Sequence, residues 1–176
     1  INNDIEVTDV GWLGEMLSHA VREEIGCVGA RLLYPDGTLQ HAGVVTGIGG
    51  VAGHSHKRMR TDKPGYFGRP HLTQSISAVT AACLLVRKSI YESLGGLEEQ
   101  LAVAFNDVDF CLRVRKQGFR NVYTPYAELI HHESVSRGSD IAPANTARFH
   151  REMVFMRERW GALLDDDPYY SPHLTV

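Results

Sequence analysis

Phe105-Asn106-Asp107-Val108-Asp109-Phe110-Cys111-Leu112-Arg113-Val114-Arg115-Lys116-Gln117-Gly118 runs directly on into Phe119-Arg120-Asn121-Val122-Tyr123-Thr124-Pro125-Tyr126-Ala127-Glu128-Leu129-Ile130-His131. The hydrophobic period changes once along this stretch. Over Asp107–Lys116, Val108, Cys111 and Leu112 fall on one helical stripe, and Gly118 supplies the stop. From Asn121 to His131 the composition turns β-rich, and Pro125 inside the run predicts an edge-like or kinked strand. A helix feeding a strand is the unit from which α/β domains are built.

Working upstream, Ala78–Val86 reads as a buried strand, followed by a short helix that ends at Gly95-Gly96. Cys27–Tyr34 is another apolar β-rich run. Pro35-Asp36-Gly37 is a turn signal, and Leu39–Val45 returns as the second strand of a hairpin. Trp12, Leu13, Met16, Leu17, Ala20 and Val21 recur at helical spacing, which predicts an amphipathic helix over Val10–Glu24. Downstream, Phe149, Met153, Met156 and Trp160 give a helix over Thr146–Leu164. Between Thr46 and Ser77 the pattern dissolves into Gly, His, Lys, Arg and Pro, so residues 46–77 are expected to form one long, mobile loop. The elements are mixed α/β, with too few βαβ units for a complete doubly wound domain.

Composition narrows the function classes. The chain has 176 residues, 43% hydrophobic and 22% charged, which suits one folded domain rather than a disordered segment. A formal net charge of -3 gives no global attraction for nucleic acid. No apolar run approaches the roughly 20 residues that span a bilayer. The 3 cysteines are far apart and flanked by apolar residues, so buried free thiols are expected rather than disulfides or a zinc site. The opening Ile1-Asn2-Asn3-Asp4 looks like a strand end followed at once by polar groups, as if excised from a longer chain.

Three polar clusters carry candidate chemistry. In Asn2-Asn3-Asp4-Ile5-Glu6, carboxylates at alternate positions can face one side and hold a divalent cation through oxygen. The same residues also suit a solvated strand end or a helix cap. Asp107 falls at the start of its helix, where the macrodipole favours its charged form and it can serve as a general base; a plain cap uses the same position. Asp109 and Arg113 are spaced for a helical ion pair. In His131-His132-Glu133-Ser134-Val135-Ser136-Arg137 the strand end puts one imidazole on each face, one of them a candidate metal ligand, with Arg137 placed for a phosphate. His41, His54, His56 and His71 lack the partner set of a structural zinc site. Lys57, Arg58, Arg60 and Lys63 form a basic run, read as a solvated loop, with an anionic acceptor or lipid phosphate as its alternative ligand.

In this order the clusters resemble the family 2 glycosyltransferases of the GT-A fold, in the bacterial surface-polysaccharide, rhamnosyltransferase-like branch. The matching stretches are INNDIEV with GWL, LLYPDGTLQHAGVV, AVTAACLLVRKSIYESLGGLEE, FNDVDFCLRVRKQGFRNVYTPYAELIHHESVSRG, and RWG with DPYY. They correspond to the C-terminal, acceptor-side half of the catalytic domain: a mixed sheet flanked by helices, with the N-terminal nucleotide-binding half outside these residues. The resemblance implies a role for each matched position. Asp4 is the ligand for Mg²⁺ or Mn²⁺, with His131 completing the metal or diphosphate site. Asn2 lies near the donor sugar or ribose, Asp107 is the base for the acceptor hydroxyl, and Thr80-Ala81 lines the sugar pocket. Asn106 stands where the family has an acid, and Ala81 where it has Gly.

The implied activity is inverting, metal-dependent transfer from a nucleotide-sugar donor to a saccharide or lipid-linked acceptor. A cytoplasmic location is expected with it, compatible with attachment to the membrane's inner face, and little turnover is expected from these residues alone. Two rivals stand beside it: a non-catalytic scaffold that kept the fold, and a hydrolase with paired carboxylates.

Overall fold

The computed structural model describes residues 1–132 and 143–174. In chain order its elements are β1 (Ile5–Val7), α1 (Trp12–Ala20), β2 (Ile25–Leu33), β3 (Leu39–His41), β4 (Val44–Thr46), β5 (Ala52–His54), β6 (Gln74–Ile76), β7 (Leu84–Val86), α2 (Lys88–Ser93), α3 (Asn106–Lys116), β8 (Arg120–His131) and α4 (Pro143–Trp160). The long strands β2 and β8 lie side by side and parallel at the centre of a mixed sheet. The outer edge of β8 is shared by β1 and β6, and the outer edge of β2 by β3 and β7, all four antiparallel. A separate small ribbon pairs β4 with β5.

Both faces of the central pair are covered, so β2 reads as a continuous apolar run instead of alternating. Met16 and Ala20 of α1 pack with Ile25, Val28, Ala30, Leu32, Val122 and Leu129 on one face. On the other, Phe110, Cys111 and Val114 of α3 and Met156 and Trp160 of α4 pack with Cys27 and Tyr123. The small residues in β2 allow this approach: a Cβ on Gly26 would lie 2.1 Å from the Val114 side chain, and one on Gly29 would lie 2.5 Å from Val79.

The strand expected at an edge is central. β8 pairs on both sides, and it tolerates Pro125 because the ladder to β2 jumps from Ala30–Thr124 to Arg31–Glu128. Pro125, Tyr126 and Ala127 thus form a bulge in which no ladder N–H is required at the proline. The kink was legible; the flanking strands were not, because they are short and distant in sequence. Ala78–Val86 is likewise not one strand: only Leu84–Val86 extends, behind a tight helical turn at Ala81–Cys83 that Thr80 caps by accepting from Ala82 N–H at 3.3 Å.

The hairpin forms as expected, with Tyr34 N–H donating to Thr38 at 2.8 Å, but Gly43 (φ 99°) splits its second arm into β3 and β4. Residues 46–77, expected as a loop, contain β5, β6 and two helical turns. α1 is shorter than expected and α4 begins earlier, running on into a turn at Gly161–Leu164. All three cysteines are buried free thiols.

Candidate active site

β1 pairs with the C-terminal end of β8, placing Ile5 opposite His131, and His132 N–H donates to the Asp4 carbonyl at 3.0 Å. This backbone clamp brings the first and third polar clusters together. The Asp4 carboxylate lies 3.1 Å from His131 Nε2. His131 is buried, and its Nδ1 faces Gln40 Oε1 at 2.7 Å, while the Gln40 amide donates to the His131 carbonyl at 3.4 Å. His132 points to the other face and meets Glu6 at 2.9 Å, so the two imidazoles do diverge.

The second cluster is tied to the first through Thr80–Cys83. Asn2 N–H donates to the Ala82 carbonyl at 2.9 Å. One residue back, Ala81 N–H donates to Asp107 Oδ2 at 2.9 Å. The other Asp107 oxygen accepts from Val108 N–H at 2.8 Å, as a residue in the first turn of a helix does. A carboxylate has about four acceptor positions, so Asp107 keeps room for a hydroxyl hydrogen. The structure therefore brings Asn2, Asp4, Thr80, Ala81, Asn106, Asp107 and His131 into one connected region. Arg137, like Glu133, lies outside the described residues.

Behind Asp107 the support comes from α4. Phe105 holds a left-handed backbone (φ 64°), a conformation a non-glycine residue adopts only when its surroundings impose it. Its ring packs on Phe149 with centroids 5.4 Å apart. The buried Glu152 accepts from Val103 N–H at 3.2 Å, Ala104 N–H at 2.9 Å and Arg148 at 3.0 Å. Asp109 is buried as well and forms the expected pair with Arg113 at 2.8 Å; it also accepts from Trp160 Nε1 at 3.0 Å. Arg113 in turn donates to the carbonyls of Leu94 and Gly96, each at 2.7 Å.

Gln40 and Glu152 were missed in the sequence. Gln40 left no signal there. Glu152 did leave one, as an acid three residues after Phe149 beside the apolar stripe of its helix.

Among the described residues, no group of three or more His, Cys, Asp and Glu is arranged to hold a metal. Asp4 and His131, whose side chains meet at 3.1 Å, are two side chains that could hold a divalent cation between them if further ligands came from a substrate. His131 Nδ1 lies against Gln40 Oε1 and Nε2 against Asp4 Oδ1; in the tautomer with Nδ1–H donating to Gln40, Nε2 would be left as a ligand atom beside the carboxylate. One or two protein ligands completed by substrate phosphates is the usual arrangement for Mg²⁺. Elsewhere, His41 contacts His54 Nδ1 to Nδ1 at 2.9 Å, and burial holds its pKa well below the ordinary histidine value. Burial pushes the Cys83 thiol up to about 11, which makes it a poor nucleophile.

No protein-family model matches the chain. Over its whole length it is 52% identical to the uncharacterized protein y4gI of Sinorhizobium fredii, of which it spans 20%. It is 44% identical, again over its whole length, to the O-antigen biosynthesis protein RfbC of Myxococcus xanthus, of which it spans 14%. An 81-residue part, 46% of the chain, is 36% identical to 26% of an N-acetylglucosaminyl-diphospho-decaprenol L-rhamnosyltransferase of Mycobacterium tuberculosis. The chain thus spans a fifth or less of the two relatives that match it throughout. Together with the mixed, helix-flanked sheet, these relatives bear out the resemblance to the C-terminal half of a family 2, rhamnosyltransferase-like glycosyltransferase.

Proposed function

We propose that this chain is the acceptor-side part of a glycosyltransferase of polysaccharide biosynthesis, moving a sugar from a nucleoside-diphosphate donor to a saccharide or lipid-linked hydroxyl. The observation that carries the reading is the convergence of Asp4–His131–Gln40 with Asn2, Ala81 and Asp107 from distant parts of the chain. Asp107 takes the proton of the attacking hydroxyl, and its bonds to Ala81 N–H and Val108 N–H hold the carboxylate in one orientation for that transfer. Thr80, Ala81 and Asn106 flank that carboxylate and contact the sugar, while Asn2 lies on the donor side. A single base taking the acceptor proton makes inversion the expected outcome.

Asp4 and His131 hold Mg²⁺ or Mn²⁺, which when bound supplies positive charge to the leaving diphosphate. Gln40 fixes the tautomer that leaves His131 Nε2 free for this. The nucleotide base is read by residues outside these 176, so weak nucleotide binding and little turnover are expected from the chain alone.

The rival reading, a non-catalytic scaffold, draws on the same two backbone bonds, which make Asp107 look like a cap. The test is release of nucleoside diphosphate by the full-length protein over a panel of nucleotide sugars, with and without Mn²⁺, beside Asp107→Asn. Metal-dependent release from one donor, reduced at least a hundredfold in the variant, is the expected result. Equal turnover by the variant returns Asp107 to a structural role.

A further inference from the structure

The basic segment between β5 and β6 takes no part in that site, yet it is built with care. Of the four non-glycine residues with left-handed φ among the described residues, three lie here: His56 (56°), Arg58 (65°) and Phe67 (52°). The fourth is Phe105, beside Asp107. Strain of this kind persists where the surroundings impose it, and it clusters at functional positions. The surroundings here are tight: a Cβ on Gly65 would lie 2.7 Å from the His56 ring and 3.0 Å from Pro70. The result is a fixed turn that leaves Phe67 85% exposed. Phe67 is the most exposed aromatic side chain among the described residues, and it is held out of the core by a strained backbone.

The neighbourhood of Phe67 is basic. Lys57, Arg58, Arg60, Lys63 and Arg69 stand against a single carboxylate, Asp62, within residues 57–69. Asp36, from the turn before β3, also reaches the segment, at 3.4 Å from Arg58; at its far edge Glu15 accepts from Thr124 at 2.6 Å and Glu128 pairs with Arg31 at 2.7 Å. Arg58 and Arg60 remain 62% and 73% exposed despite their acidic partners, and Lys57 and Lys63 are exposed without an ion pair among the described residues. His71 meets the Lys63 carbonyl at 2.8 Å, which sets Lys63 beside Leu72, 52% exposed. Thr73 contacts Thr124 across the sheet edge at 3.4 Å, two residues before Tyr126, which is 66% exposed.

We infer that this face docks on an anionic lipid bilayer, with Phe67, Leu72 and Tyr126 entering the interface and the lysines and arginines meeting lipid phosphates. The pairing of rigid aromatic and apolar groups with clustered cations is what an anionic membrane surface recognises. The chain as a whole is formally -3, so attraction to such a surface has to come from a local patch. Among the described residues no helix is long and apolar enough to cross a membrane.

Co-sedimentation of the chain with vesicles tests this independently of any transferase activity. Phosphatidylcholine vesicles containing about one-third phosphatidylglycerol are expected to bind it at about 0.1 M salt and to release it at about 0.5 M. Phe67→Ala lowers the partition coefficient about tenfold. Lys57→Glu and Lys63→Glu each lower it about fivefold or more. The thermal midpoint of each variant reports folding, and for these exposed positions it stays close to the parent's. Absence of binding, equal binding to pure phosphatidylcholine, or Phe67→Ala binding unchanged would overturn the inference. Self-association without lipid that Phe67→Ala abolishes would overturn it too, because the patch would then be a contact between copies.

Discussion

Replacing Glu152 by Ala should destabilise the chain by about 3 kcal/mol, a figure set by what its carboxylate holds. Three hydrogen bonds to it are lost, from Val103 N–H, Ala104 N–H and the Arg148 guanidinium, at 3.2, 2.9 and 3.0 Å. The two loop residues are half-buried, so each amide is worth about 1 kcal/mol, at the low end of the range for an unsatisfied donor. The Arg148 side chain is 21% exposed and can recover water, which holds its share to about 1 kcal/mol.

For a chain of this size about 3 kcal/mol is a fall of roughly 6–12 °C in the thermal midpoint, with a matching drop in the urea midpoint. Glu152→Gln keeps the volume and one acceptor, so its difference from Ala separates polar loss from packing. Hydrogen exchange localises the effect: the Val103 and Ala104 amides should both exchange faster in Glu152→Ala, and one of them in Glu152→Gln, ahead of the sheet amides. A change within about 0.5 kcal/mol, the range for ordinary surface substitutions, or unaltered exchange at the two amides, would refute the claim that α4 holds the loop before Asp107.

Two further outcomes follow from burial. His41 has its pKa held down first by desolvation and then by His54. The unfolded chain therefore binds a proton near pH 6.5 that the folded chain refuses, and stability falls as pH drops below that value by about 1.4 kcal/mol per pH unit until the folded pKa is reached. Thermal midpoints from pH 7.5 down to about pH 5.5 should show at least that slope, and a His41→Asn variant should reduce it, leaving the smaller share of His56, whose pKa burial also lowers. Gly29→Ala would put a methyl 2.5 Å from the Val79 side chain between β2 and its neighbours; a loss of about 1–3 kcal/mol in urea unfolding is expected, and a neutral result would mean that Val79 can move.

Much of the fold could be read from local chemistry, and what could not is non-local. α3 announced itself by its stripe and by Gly118, and the turn after β2 by Pro35-Asp36-Gly37, because those signals lie within a few residues of what they specify. The centrality of β8 did not, since Pro125 argues for an edge until the bulge that excuses it is seen. The strands within residues 46–77 are three residues each and carry no period to detect. At the candidate site, Asp4, Asp107 and His131 were legible as types in context, whereas Gln40 and Glu152 act through partners 91 and 48–49 residues away.

That distribution has a mechanical consequence. The Asp4–His131 side is held by strand pairing at the C-terminal end of β8, the end of a parallel strand where α/β sheets place their ligands, and by a glutamine from β3. The Asp107 side is held by α4, through Glu152 to the loop and Trp160 to Asp109. The backbone bonds through Ala81, Ala82 and Asn2 join the two near the site, and farther from it α3 is tied to β8 where Asn121 donates to the Cys111 carbonyl at 3.0 Å. Damage to α4 should therefore disturb the Asp107 side while leaving the Asp4–His131 pair in register. On the proposed function, turnover in the full-length protein would then fall with donor affinity retained. A variant of Glu152 that loses donor affinity as steeply as turnover would show that the two sides move as one body.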